Sequence, residues 1–85
     1  MSRVQRLVLD VLKPHQPNAL EFACALAALD QSYGVSLKVV EVDEQTESLQ
    51  VTLEGNALDF DRIAAAIAET GASLHSIDEV SVVGE

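Results

Sequence analysis

The chain has 85 residues, 48% of them hydrophobic, with 14 acidic side chains against 5 basic ones and a net charge of −9 at pH 7. That length and apolar content suit one compact domain spanning residues 1–85, and so small a core leaves oligomerisation as a natural source of further stability. The acidic balance repels phosphate backbones and argues against nucleic-acid binding, while the single cysteine, Cys24, leaves no internal disulfide and no C-x-x-C motif.

The opening stretch MSRVQRLVLDVLK mixes charges into its first ten residues, and its apolar run is too short and interrupted for a signal peptide or a membrane-spanning helix. A soluble, cytoplasmic protein without a membrane partner is expected. Within residues 4–13, Leu7, Leu9 and Val11 alternate with Arg6, Val8, Asp10 and Leu12, which predicts a strand. Pro14 and Pro17 break it. A helix then opens near Asn18, either by a capping box of Asn18 with Glu21 or by Pro17 in the first turn after Gln16. Phe22, Leu26, Leu29 and Tyr33 recur at helical spacing among alanines, and Gly34 is the expected stop. Cys24 falls in this segment, where a small buried hydrophobe is the expectation rather than a nucleophile.

VSLKVVEVD and SLQVTLEG read as a hairpin joined by the turn EQTE. Leu49, Val51 and Leu53 alternate cleanly with polar residues. The alternation of Val35, Leu37 and Val39 slips at Val40 and Val42, which predicts a bulge or a strand end buried on both faces. ALDFDRIAAAIAETG is the clearest helix. Asp59 caps it, Leu58 and Ile63 form a hydrophobic staple, Phe60, Ile63 and Ile67 face inward, and Gly71 stops it. ASLHSIDEVSVV supplies a last strand. The order βαββαβ predicts an α+β, ferredoxin-like fold: a four-stranded antiparallel sheet with both helices on one face. The first and last strands are then neighbours, with Asp10 across from Ser76 to Asp78, and the uncovered face presents Val8 and Leu12 for subunit contacts.

This topology hosts many activities, so function must come from side chains. RNA recognition needs aromatics on the central strands, and strands one and three have none. A metallochaperone needs paired thiols after the first strand. An acylphosphatase-like cradle needs backbone amides and an arginine where KPHQPN offers two prolines and neither glycine nor arginine.

Three charged groups remain. Glu41, Asp43, Glu44 and Glu47 in the hairpin are oxygen donors of the kind calcium or magnesium accepts, but they lack EF-hand spacing and a glycine, so a solvated turn is the plainer reading. Asp10, Lys13 and His15 gather at the end of the first strand, where exposed polar tips are the ordinary alternative to a ligand site. His75, Asp78 and Glu79 crowd into the last strand. Alternation puts His75 and Glu79 on one face and Asp78 on the other, so without a bulge they need partners from strand one or another subunit. A hydrogen-bonded structural histidine is the ordinary alternative for His75.

The segments LDVLKPH, EGNALDFDRI and GASLHSIDEV, with the spacing between them, resemble the domain of unknown function 211 family, small and mainly archaeal proteins, from about Val4 to Val83. The resemblance implies a ferredoxin-like fold and multimeric assembly and no activity. Relative to that family the helices here are alanine-rich.

The expected function is thus a homo-oligomeric module that binds a small ligand or a divalent cation such as calcium or magnesium. Asp10, Lys13, His15, His75, Asp78 and Glu79 are the candidate ligand-binding residues, and Asp10, His75, Asp78 and Glu79 the candidate metal ligands. The partner expected is the protein itself, through the open sheet face or the sheet edges. A scaffold without ligand is the alternative, and an enzyme using Asp10, His15 or His75 in acid–base roles is the third reading.

Overall fold

The structure, a computed structural model, describes residues 2–84. Strand β1 (Ser2–Pro14) is followed by helix α1 (Ala19–Ala27), strands β2 (Gly34–Val42) and β3 (Thr46–Glu54), helix α2 (Phe60–Glu69) and strand β4 (Ser73–Gly84). The strands form one four-stranded sheet in the order β2-β3-β1-β4, with every neighbouring pair antiparallel. This is the ferredoxin-like arrangement expected from the pattern of elements.

Strand alternation builds the core. Leu7, Leu9 and Val11 of β1 face the helices beside Leu49, Val51 and Leu53 of β3, and Phe22, Leu26, Ile63 and Ile67 close over them. Burying a side chain of this size contributes about 1.5–3 kcal/mol. The opposite face of the sheet has no helix.

The α1 start follows the capping box. The Asn18 side chain accepts from the Glu21 amide, and Glu21 accepts from the Asn18 amide. Its end differs from expectation: the helix stops at Ala27, and Tyr33 lies beyond it. Asp30 explains the early stop, because its carboxylate accepts from both the amide and the hydroxyl of Ser32, a local turn that competes with the helical ladder. Tyr33 still reaches the core, and its hydroxyl accepts from the Asp59 amide at 2.9 Å. Cys24 is exposed rather than buried. With Phe22 and Leu26 facing the sheet, a residue two positions from each points about 200° away.

In α2, Asp59 accepts from the Arg62 amide, and Leu58 and Ile63 are both buried in the core as a staple requires. Gly71 ends the segment at φ 90°, a conformation that favours glycine. The irregularity expected in β2 is a bulge: Val39 pairs with Leu49 and Glu41 with Ser48, leaving Val40 unpaired between them. Val39, Val40 and Val42 are exposed.

The two long strands shape the molecule. β1 pairs with β3 only as far as Arg6, while Ser2 to Val4 have β4 as their one strand neighbour; Val4 still packs against the core, and its carbonyl accepts from the Leu58 amide at 2.8 Å. The molecule measures 45 × 22 × 18 Å. On the uncovered face Leu12 is exposed as expected, but Val8 is only 6% exposed. It lies between Thr52 and Glu79 and two residues from Arg6, whose ion pairs occupy this part of the face.

Candidate functional site

Asp10 projects from the middle of β1 onto the open face, since its neighbours Leu9 and Val11 fill the core. Across the ladder, Asp10 pairs with Ser76 and Val11 with Leu74, which leaves His75 as an extra residue. A second irregularity follows: Leu9 pairs with Ile77 and Val8 with Glu79, leaving Asp78 extra. Strict alternation would hold Asp78 apart from His75 and Glu79. Two bulges within four residues remove that separation.

His75 Nδ1 consequently lies 3.3 Å from Asp10 Oδ2, with both side chains open to solvent. The Ser76 hydroxyl donates to Asp78 at 2.7 Å and fixes its rotamer. Asp10 and Asp78 line an open cavity of about 370 Å³ together with Val40, Glu41, Ser48 and Gln50. Three of the expected residues, Asp10, His75 and Asp78, thus meet on one face.

Glu79 has a different partner. Its carboxylate accepts from Arg6 Nε at 2.7 Å, and Arg6 Nη1 reaches Glu54 at 2.8 Å, so Arg6 ties β4 to β3 across β1. Among the described residues, no group of three or more His, Cys, Asp or Glu side chains is placed to hold a metal ion.

Lys13 and His15 belong to a separate cluster, because Lys13 continues the core face of Leu9 and Val11, opposite Asp10. Lys13 is 0% exposed. Its ammonium donates to the carbonyls of Pro14 and Pro17 at 2.8 and 2.6 Å, and lies 3.1 Å from Glu47 Oε1. That last contact joins opposite charges without hydrogen-bond alignment, and Oε1 has no aligned donor among the described residues. Glu47 sits directly across the ladder from Lys13. The second carboxylate oxygen lies 3.1 Å from His15 Nδ1, while His15 Nε2 is 3.0 and 3.1 Å from the carbonyls of Asp43 and Glu44.

Every partner of the His15 ring is an acceptor, so only the doubly protonated imidazolium can donate on both sides. The Glu47 carboxylate foremost, then the Glu44 carbonyl, raises the His15 pKa above its ordinary value. In return His15 foremost, then Lys13, holds the Glu47 carboxyl below its own. The cluster pins the β1–α1 connection to the β2–β3 turn and leaves Lys13 no route to the cavity around Asp10.

Two residues important to these clusters were not singled out from sequence: Arg6 and, as an ion-pair partner, Glu47. Glu47 lies 34 positions from Lys13, and only the β1–β3 register brings them together.

Comparison with known proteins identifies a family. The model of the family described as DUF211, Uncharacterized ArCR, COG1888, matches residues 5–85. A protein of the archaeon Methanocaldococcus jannaschii, named uncharacterized protein MJ0319, is 48% identical over 80 residues, covering 94% of this chain and 82% of that protein. Among solved structures, the full extracellular region of zebrafish Gpr126/Adgrg6 has a TM-score of 0.39 at 18% identity, over 95% of this chain and 13% of that one, a likeness too slight to carry an argument. Among the described residues no helix is long and apolar enough to cross a membrane.

Proposed function

The chain belongs to the DUF211 family, and from that premise we propose that it is a homo-oligomeric, non-enzymatic module that binds a small cationic ligand, foremost a divalent cation such as calcium or magnesium, on the open face of its sheet. The supporting observation is the convergence of Asp10, Asp78 and Glu41 on one cavity, with His75 beside Asp10. Carboxylate, amide and hydroxyl oxygens from these residues, Gln50 and Ser48 are the donors that hard cations accept. A cavity of this size, without a close three-ligand cage, suits a cation that keeps much of its water, as magnesium does, and whose remaining ligands come from solvent or a second subunit. The same acidic face gives the molecule's net charge of −9 a local use in attracting cations. A cytoplasmic location goes with this reading, since the one cysteine has no intrachain partner for a disulfide.

The test is a melting curve of chelator-treated protein with added calcium chloride or magnesium chloride. A ligand at a hundred times its Kd stabilises by about 2.7 kcal/mol, which is easily read as a higher Tm. The expected rise disappears in Asp10→Asn and Asp78→Asn. If neither ion raises Tm in the wild type, the binding reading fails and a ligand-free scaffold replaces it.

A further inference from the structure

We infer that the open face takes a small zwitterion, an α-amino acid with a neutral side chain, whose ammonium group binds at Asp10 and Asp78 and whose carboxylate binds at Lys38. The inference rests on the cation-accepting carboxylates of the proposed function and adds an anion-accepting half to the same face.

Strand register builds a row of opposite charges. Lys38 of β2 pairs with Gln50 of β3, and Gln50 pairs with Asp10 of β1, so all three side chains leave the sheet on the side away from the helices. Adjacent strands lie about 4.8 Å apart, which sets the backbones of Lys38 and Asp10 about 10 Å from each other. In the next row Ser36 lies across from Thr52, placing two hydroxyls beside the lysine. Ser36, Lys38, Gln50 and Thr52 line a second, shallow cavity of about 140 Å³. Gln50 lines both this cavity and the larger one around Asp10 and Asp78, so the two adjoin at a neutral amide that can donate and accept.

Lys38 is held by nothing in the fold. Among the described residues it has no hydrogen bond or ion pair, whereas Arg6 holds two glutamates and Lys13 a glutamate and two carbonyls. Glu41, which follows it on the open face of β2 past the bulge at Val40, lies beyond ion-pair distance. An unpaired ammonium on a face lined with carboxylates is a free half of a two-charge site.

Charge then selects the ligand class. The net charge of −9 repels a simple anion from Lys38, and a simple cation leaves the lysine unused. A zwitterion uses both, because its ammonium group is drawn to the carboxylates and brings its own carboxylate within reach of Lys38. Two charge-assisted hydrogen bonds of about 2.8 Å, with the short headgroup between them, bridge the space from a flexible lysine to the aspartates. Val40, exposed on the wall of the larger cavity, offers apolar contact to a side chain, and Glu41 disfavours an acidic one.

The experiment records melting curves of the chelator-treated full chain with L-leucine, with L-leucine methyl ester, which keeps only the ammonium group, and with N-acetyl-L-leucine, which keeps only the carboxylate. L-Leucine is expected to raise Tm at a concentration at least about tenfold lower than either blocked form requires. Lys38→Met removes that tenfold advantage and leaves the response to the methyl ester unchanged, while Asp10→Asn weakens both. Circular dichroism checks that both variants fold. A response to L-leucine that matches the methyl ester, or that survives Lys38→Met, overturns the inference. A rise with magnesium chloride or calcium chloride but with neither L-leucine nor L-glutamine overturns the inference alone. A rise with L-leucine and none with either metal salt supports it and overturns the divalent-cation reading. No rise with any of these probes overturns both.

Discussion

Lys13 and Glu47 face each other across the β1–β3 ladder at the end of the hydrophobic core, with the ammonium 3.1 Å from the carboxylate and no Lys13 surface left open to solvent. The lysine is held by two proline carbonyls as well as by charge. Lys13→Met keeps the apolar stem but strips both carbonyls of their donor and leaves Glu47 to His15. Urea unfolding is expected to show a loss of about 2–4 kcal/mol. Lys38→Met, on the exposed side of β2, changes stability by no more than about 0.5 kcal/mol.

The pH dependence of this corner follows from two opposed shifts. His15 is raised above its ordinary 6.5, so its contribution is complete below that value and fades as pH climbs through the raised folded-state value. Glu47 is lowered below its ordinary 4.5, so its contribution is complete above that value and fades as pH falls through the lowered one. The clamp is therefore strongest in mildly acidic solution between those two ordinary values. A series of Tm measurements from pH 5 to pH 9 is expected to decline as pH rises above 6.5, and His15→Gln flattens that decline. An unchanged slope in the variant would show that the histidine clamp does not govern it.

Arg6 bridges Glu54 and Glu79 on the open face, and its side chain is partly solvated. Arg6→Ala leaves two like charges flanking β1 and uncovers Val8. Its Tm falls more at low salt than at high salt, because added ions screen the exposed carboxylates. Equal losses at both salt levels would point to lost packing of the arginine stem instead.

Gly71 adopts φ 90° at the end of α2, and a Cβ placed there meets nothing closer than Pro14 Cγ at 3.8 Å. Steric room is available, so Gly71→Ala isolates the backbone penalty of a left-handed residue. A loss of about 1–2 kcal/mol in urea unfolding is expected. The matched change Ala65→Gly, in the exposed middle of α2, costs about 1 kcal/mol through helix propensity alone.

Much of the architecture was legible because it depends on local chemistry. Asn18 with Glu21, Asp59 before Phe60, and Gly71 after the last apolar turn each act within four residues, and each occupies its expected role. The slip at Val40 was visible because valines interrupt an apolar alternation. Bulges at His75 and Asp78 left a mark of the same kind in the three-residue spacing of Leu74, Ile77 and Val80, which pair with Val11, Leu9 and Leu7, and a strict period-two reading passes over it. The early end of α1 was hidden for a related reason: Tyr33 keeps helical spacing with Leu29, yet Asp30 closes a turn on Ser32 between them. Grouping Asp10 with Lys13 and His15 followed proximity in the chain. Strand pleating assigns Asp10 to the open face and Lys13 to the core face, and pairs Lys13 with a residue from a distant strand.

The central position of β1 has a consequence for the order in which the protein is made. β1 leaves the ribosome before the other strands, but its two neighbours are β3 and β4, and Ser2 lies opposite Gly84. The β2–β3 hairpin and both helices can form from nearby residues as they emerge. β1 nevertheless retains an unfilled edge until Ser73 to Gly84 are free of the exit tunnel, so closing the sheet is among the last events of folding. A chain halted before Ser73 would expose that central edge in a sticky, incompletely paired form, making late truncation far more damaging than its length suggests.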